Sequence, residues 1–295
     1  MAAAPRLVGD TACMALPEVA VGLIVAEDGR LLLQHRDDKP GIINPGRWGC
    51  FGGHLDPGER AAHAFVREME EELGWRPSHF EPYRRLEVDS DGWHLMSNTF
   101  AAHLDVPPEA LRQTEGQGLG LFAPDALPDG VVGGIVPLIR EFAASDVYRR
   151  IRKHWDVITA TGIIVDGGGR FLLQLRDDKP GIDNPGMWGS FGGRIEPGET
   201  PADGFARELR EELGWAPARC ELFAAGPYRP DERNQLIYVY AARLDVPEAS
   251  LVLGEGQALG LFALDHLPAN TVPDYAALLR RFAASELYAR LRDSA

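Results

Sequence analysis

Two stretches, "GHLDPGERAAHAFVREMEEELGW" at residues 53–75 and "GRIEPGETPADGFARELREELGW" at residues 193–215, decide how this chain is read. Gly53 and Gly193 stand 140 positions apart, and the same offset pairs Ala20 with Ala160 and Arg152 with Arg292 without insertion or deletion. The chain is a tandem duplication. In the first copy Phe65, Val66, Met69 and Leu73 fall on one side of a helix at about 100° per residue, the apolar stripe that packs on a sheet. Glu68, Glu71 and Glu72 share a different arc. Their i, i+3, i+4 spacing crowds three carboxylates, which repel unless protons or cations intervene. Closely spaced oxygen donors suit Mg²⁺ or Mn²⁺. Glu70 points away from the cluster and its counterpart is Arg210, which separates a replaceable surface charge from Glu208, Glu211 and Glu212. Arg67 and Arg207 precede the clusters and are placed to fix a carboxylate by bidentate hydrogen bonding. An isolated Glu-rich stretch is usually the solvated face of a helix. Here it follows Gly-Gly and Pro-Gly-Glu turns, "FGGHLDPGE" and "FGGRIEPGE", and the whole context occurs twice.

Working outward, each repeat opens with two β-rich runs, "VAVGLIV" and "RLLLQHR" or "TATGIIV" and "RFLLQLR", which read as a hairpin. The runs "RDDKPGIINPGRWGCFGG" and "RDDKPGIDNPGMWGSFGG" are too rich in Gly and Pro for regular structure and read as functional loops. Helices are expected at 61–73 and 202–213, strands near 95–104 and 236–244, and a short strand "LGLF" after a Pro-bounded loop. A closing helix follows in each repeat, "LIREFAASDVYRRIR" and "LLRRFAASELYARLR". The 295 residues, 45% hydrophobic and 25% charged, suffice for two domains with their own cores, placed at 1–153 and 154–295. The short connection favours domains packed on each other. A net charge of -14 argues against gripping extended nucleic acid, which needs clustered Lys and Arg. Small phosphorylated ligands stay open, because bound cations invert local charge. Cys13, Cys50 and Cys220 are odd in number and scattered, so a reducing cytoplasm is expected rather than a disulfide framework. No apolar run reaches the ~20 residues that span a bilayer, and neither a signal peptide nor a membrane anchor is expected.

Both acidic stretches match the Nudix box: Gly, five residues, Glu, seven residues, Arg-Glu, a bulky apolar residue, any residue, Glu-Glu, any residue, Gly and a final bulky apolar residue. Gly53, Glu59, Arg67, Glu68, Met69, Glu71, Glu72, Gly74 and Trp75 fill it, as do Gly193, Glu199, Arg207, Glu208, Leu209, Glu211, Glu212, Gly214 and Trp215. The chain thus resembles two tandem Nudix domains. The resemblance implies an α/β class with two Nudix folds, each an α/β/α sandwich around a mixed sheet, packed as an internal pseudo-dimer. It also implies a Mg²⁺-dependent hydrolase of nucleoside diphosphate derivatives. Metal would be held by Glu68, Glu71, Glu72 and a backbone carbonyl near Gly52, and in the second copy by Glu208, Glu211, Glu212 and Gly192. The loops "EGQGLGLF" and "EGQALGLF" resemble those of MutT-type nucleoside triphosphate hydrolases and make Glu115 and Glu255 candidate additional carboxylates. Arg36 and Arg176 resemble phosphate-contacting arginines of relatives; otherwise they are surface residues covering a sheet edge.

Substrate recognition is less legible. Roughly half of the aligned positions are identical, yet "YRRLEVDSDGWHLMSNTF" and "FAAGPYRPDERNQLIYVY", the expected pocket segments, share almost nothing. Trp48 and Trp188 either stack on a base or sugar or plug the core. In "LPANTVP" Asn270 resembles a purine-reading Asn of MutT-type enzymes; the first repeat has "LPDGVVG". A small nucleotide is therefore expected as substrate, a nucleoside triphosphate or modified nucleotide ahead of a nucleotide sugar. The alternatives are one catalytic domain beside a nucleotide-sensing or structural one, and an isomerase using Cys50, which is Ser190 in the duplicate. A monomer with an internal pseudo-dimer, or a homodimer, fits the duplication.

Overall fold

The computed structural model describes residues 16–42, 44–90, 93–228 and 234–293. Cys13 and the N-terminal stretch read above for a leader lie outside them. The first repeat carries β1 (Glu18–Val25), β2 (Leu31–His35), β3 (Trp48–Gly49), β4 (Phe51–His54), α1 (Ala61–Leu73), β5 (Phe80–Ser90), β6 (Trp93–His103), β7 (Gly118–Phe122), α2 (Ile135–Ala143) and α3 (Asp146–Ile151). The second carries β8 (Val157–Val165), β9 (Phe171–Leu175), β10 (Trp188–Gly189), β11 (Gly192–Arg194), α4 (Pro201–Leu213), β12 (Cys220–Tyr228), β13 (Gln235–Arg243), β14 (Ala258–Phe262), α5 (Pro273–Ala283) and α6 (Glu286–Asp293).

Each repeat forms its own seven-stranded sheet, ordered β3-β2-β1-β6-β5 with β4 on β1 and β7 on β2, and identically in the second. The β1–β6 and β8–β13 pairs are parallel and the others antiparallel, so the sheets are mixed. Strand periodicity divides each core in two. Ala20 and Ile24 of β1 face α1 through Phe65, Met69 and Leu73, whereas Leu23 and Val25 face Ile139, Phe142 and Ile151 of α2 and α3. Removing a fully buried ring such as Phe65 would cost about 3–5 kcal/mol. The box glycine Gly74 ends α1 in the left-handed region at φ 61°, the usual helix C-cap solution. Trp75, the last box residue, is buried and its indole Nε1 donates to Asp105 at 2.6 Å.

Two expectations need correction. The closing helix is two helices in each repeat, because the hydroxyl of Ser145 accepts from Tyr148 N and donates to Phe142 O, starting a new helix at the old one's end; Ser285 does the same. The strands expected near 95–104 and 236–244 are each preceded by a further long strand that was not expected, β5 or β12, running into the pocket segments. Each has a register shift, between Pro82 and Arg84 and between Leu222 and Ala224, which interrupts the alternation that identifies a strand.

The repeats touch directly. Gly198 N donates to Pro77 O at 3.2 Å, and Arg60 pairs with Asp203 at 2.5 Å. At the centre is a buried polar group: Arg150 grips Glu81 at 2.8 and 3.1 Å, Tyr238 of the second repeat donates to Glu81 at 3.1 Å, and His79 Nε2 lies 2.9 Å from the Tyr238 oxygen. With the Tyr238 O–H directed at Glu81, the tyrosine oxygen accepts from His79 Nε2, and the buried His79 Nδ1 has no partner. The equivalent pair, Arg290 with Glu221, is more than half exposed on both sides. At this point the contact joins non-equivalent surfaces and is not one that a two-fold axis would repeat.

Candidate active site

The Gly-Gly turn delivers the acidic helix to the sheet. Gly52 has φ 130°, and a Cβ there would sit 2.0 Å from Ala20 O; a Cβ on Gly53 would sit 2.5 Å from Glu68 Oε1. Gly192 and Gly193 repeat this against Ala160 O (2.3 Å) and the Glu208 carboxylate (2.5 Å). Only glycine leaves room for β4 to lie against both β1 and the carboxylate.

Arg67 organises the cluster. Its guanidinium donates to both oxygens of Glu59 (3.0 Å each), to Glu68 (2.8 Å), to Glu71 (3.1 Å) and to His54 O (2.9 Å). Arg207 makes the same contacts with Glu199 (2.8 and 3.3 Å), Glu208 (2.9 Å), Glu211 (3.2 Å) and Arg194 O (2.7 Å). Hydrogen bonds from Arg67 hold the Glu59 carboxyl below its ordinary range. Burial pushes Glu68 and Glu208 upward, against the pull of those same arginines. Glu70, by contrast, pairs with Arg76 on the surface at 2.9 Å.

Glu72 lies deepest. It is 7% exposed, accepts the Gly52 N–H at 2.9 Å and is pushed up to about 7, chiefly by burial, with Glu68 and Glu115 adding to the rise and Gly52 and Arg36 opposing it. Glu212 matches it: 6% exposed, 2.9 Å from Gly192 N, and pushed up to about 7 by burial, with Glu255 and Glu208 adding. A buried carboxylate beside other carboxylates is costly when ionised, and a nearby cation offsets that cost. As arranged, no group of three His, Cys, Asp or Glu side chains among the described residues is gathered closely enough to hold a metal; Arg67 and Arg207 each occupy the space between two of the carboxylates, one guanidinium nitrogen donating to both Glu68 and Glu71 or to both Glu208 and Glu211. The donor set nevertheless fits a hard divalent cation: carboxylate oxygens on one helix face, against a glycine turn whose Cβ volume they fill.

The "EGQ" loops are stitched over this cluster. Thr114 N donates to Glu72 O (3.0 Å) and Thr114 Oγ1 to Glu71 O (2.7 Å), while Gln117 Nε2 donates to Arg36 O (2.7 Å). Gln257 bonds Arg176 O identically at 2.7 Å. Glu115 and Glu255 are thereby brought within electrostatic reach of Glu72 and Glu212. Arg36 also reaches Glu72, and Arg176, held by Asp183 O at 2.8 Å, lines a cavity of about 640 Å³ beside Gly192 and Gly193. Trp48 stacks on His35 (4.9 Å) and meets Phe122 edge-on; Trp188 meets Phe262 edge-on and is not among the cavity-lining residues. Asn270 also stands outside that lining, donating to Gly186 O at 2.9 Å. Cys50 is buried and its thiol is pushed up to about 12 by burial, so it is no ready thiolate.

Sequence reasoning passed over Gln34 and Gln174. Both are buried: Gln34 Nε2 donates to Cys50 O (3.0 Å), and Gln174 Nε2 to Ser190 O (2.9 Å) and toward the deepest glutamate of its domain, Glu212 (3.5 Å). A glutamine inside an apolar strand run, kept in both repeats, was the available signal.

A family model described as the NUDIX domain matches residues 16–142 and again 156–282. The chain belongs to the Nudix family. The repeats are two Nudix domains, each on a mixed sheet with helices on both faces, and the chain is a hydrolase acting on phosphoanhydrides. Among curated relatives, a CTP pyrophosphohydrolase of Escherichia coli (strain K12) is 30% identical over 103 residues, 35% of this chain and 73% of that protein. An 8-oxo-dGTP diphosphatase of the same strain is 31% identical over 78 residues, 26% of this chain and 59% of that protein. Among solved structures, a MutT Nudix hydrolase from Burkholderia pseudomallei is 27% identical, covering 42% of this chain and 95% of that one at a TM-score of 0.36. No helix among the described residues is long and apolar enough to cross a membrane.

Proposed function

We propose that both Nudix domains are divalent-cation-dependent pyrophosphohydrolases of small nucleotides, with Mg²⁺ the preferred ion and Mn²⁺ a substitute. The observation that supports this most is the repetition of one arginine-centred acid cluster, atom for atom, in two domains whose β5 and β12 strands have diverged. Glu68, Glu71, Glu72 and the Gly52 carbonyl would hold the metal in the first domain, and Glu208, Glu211, Glu212 and the Gly192 carbonyl in the second. The bound cation would neutralise the diphosphate and make an attacking water more acidic. Arg67 and Arg207 hold Glu68 and Glu208 in place. Water oxygen attacks phosphorus, the bridging P–O bond breaks, and a carboxylate accepts the water proton; we assign that role to Glu115 and Glu255, on loops pinned beside the clusters. Arg36 and Arg176 contact phosphate oxygens. Trp48, Trp188 and Asn270 are proposed to shape the substrate side through the loops they brace.

The relatives that hydrolyse CTP and 8-oxo-dGTP make nucleoside triphosphates, including modified ones, the favoured substrates, with nucleotide sugars next. We place the domain boundary between residues 153 and 154, in the connection from α3 to β8. Free thiols at Cys50 and Cys220 suit a reducing cytoplasm. The test is Glu72→Gln with Glu212→Gln in one chain, assayed with Mg²⁺ against a nucleotide panel. Turnover should fall at least ~100-fold for every substrate, and activity near the parental level would refute the assignment.

A further inference from the structure

Ala224 and Arg281 both line the cavity of the second domain. Their equivalents 140 positions earlier are Arg84 and Glu141, and these meet end-on: Arg84 Nη1 donates to Glu141 Oε2 at 2.9 Å while Nη2 engages Oε1. The pair ties β5 to α2 across the place where the second domain keeps its cavity. There Ala224 has nothing beyond Cβ to offer, and the Arg281 guanidinium lies instead over the Phe223 ring, 5.2 Å from its centroid. The neighbouring positions point the same way. Ala225, Gly226 and Pro227 line the second-domain cavity, whereas the first domain has Arg85, Leu86 and Glu87, with Arg85 held by Glu18 at 3.0 Å. A cavity of about 640 Å³ lies within the roughly 300–1,000 Å³ of small-molecule sites.

We propose that the Arg84–Glu141 pair is a bar across the nucleoside side of the first domain's cleft, so that the two domains divide substrates by what lies beyond the phosphates. The second domain admits a nucleoside into its cavity. The first, barred, discriminates against it and favours substrates whose non-phosphate part is small. This rests on the reading of both domains as phosphoanhydride hydrolases, but the bar itself is a matter of binding. The pair is exposed, 36% at Arg84 and 56% at Glu141, and exposed pairs add little to stability, so it can be cut without unfolding the domain.

The test has a kinetic and a binding arm, both on the full chain. In a Glu212→Gln background, where only the first domain turns over, kcat/KM is measured for ATP and for inorganic tripolyphosphate with Mg²⁺. Adding Arg84→Ala should raise the ATP-to-tripolyphosphate ratio roughly tenfold, mainly through KM for ATP. The charge-swapped pair Arg84→Glu with Glu141→Arg should return the ratio toward its starting value. An unchanged ratio in Arg84→Ala would overturn the bar. In the binding arm the otherwise unmodified chain is titrated calorimetrically with α,β-methylene-ATP and Mg²⁺. A tight and a weaker site are expected, and Arg84→Ala should tighten the weaker one roughly tenfold; the same weaker affinity with and without Arg84 would overturn the proposal. Should the Glu212→Gln chain hydrolyse neither probe, first-domain hydrolysis fails while the titration still decides the bar.

Discussion

Arg67 and Arg207 make the same hydrogen bonds to the same partners, whereas no position from 82 to 88 on β5 matches its counterpart on β12. The difference shows where substitution is tolerated. The acid cluster is a closed network in which each lost member leaves a half-buried charge without its partner, and that cost is high whatever the substrate. The strands on the other side of the cleft change in company: Arg84 arrives with Glu141, and Arg85 with Glu18, so each new charge meets its counter-charge.

The two repeats should differ most in stability at the domain contact, where equivalent ion pairs have unequal surroundings. Arg150→Met leaves Glu81, 4% exposed, ionised or protonated without its partner and is expected to cost about 3–5 kcal/mol in urea or thermal unfolding. Arg290→Met cuts the exposed equivalent and should cost about 0–1 kcal/mol. Equal costs would mean that the buried contact is not formed in solution. A smaller effect comes from His79, whose ring is held down at about 3, chiefly by burial. A folded-state value below the unfolded one means that, between about pH 6.5 and 3, the unfolded chain binds a proton that the folded chain does not. Stability contributed by neutral His79 is therefore present above pH 6.5 and lost as pH falls, reaching about 1.4 kcal/mol at pH 5.5. Burial moves the neighbouring Glu81 upward, an effect of opposite sign, so the parent must be compared with His79→Gln. The variant should lose less stability between pH 7 and 5.5 than the parent; parallel losses would exclude His79 as the cause.

Much of the fold was readable because it is written in local periodicity. Helix α1 follows from Phe65, Met69 and Leu73 at helical spacing, and its end from Gly74; the hairpin β1–β2 follows from two apolar runs around a turn. Strands β5 and β12 were hidden because a bulge shifts their alternation, and the break before α3 was hidden because a serine hydroxyl, not a proline or glycine, makes it. At the site, the identities of Glu68, Glu71 and Glu72 were legible, but their arrangement was not: spacing put the three together, whereas Arg67 bridges Glu68 and Glu71 and the Gly52 N–H fixes Glu72. The contact of Tyr238 with His79 and Glu81 lies about 160 residues apart in the chain, beyond any local pattern.

On the proposed function, one chemistry serves two different pockets. Glu72→Gln and Glu212→Gln chains, each with one intact cluster, should be ranked by kcat/KM over one panel of nucleoside triphosphates, a nucleotide sugar and tripolyphosphate with Mg²⁺. Both chains should retain turnover, with different rankings: nucleoside triphosphates first for Glu72→Gln, tripolyphosphate relatively favoured for Glu212→Gln. Identical rankings, or loss of all turnover from one substitution alone, would contradict the account.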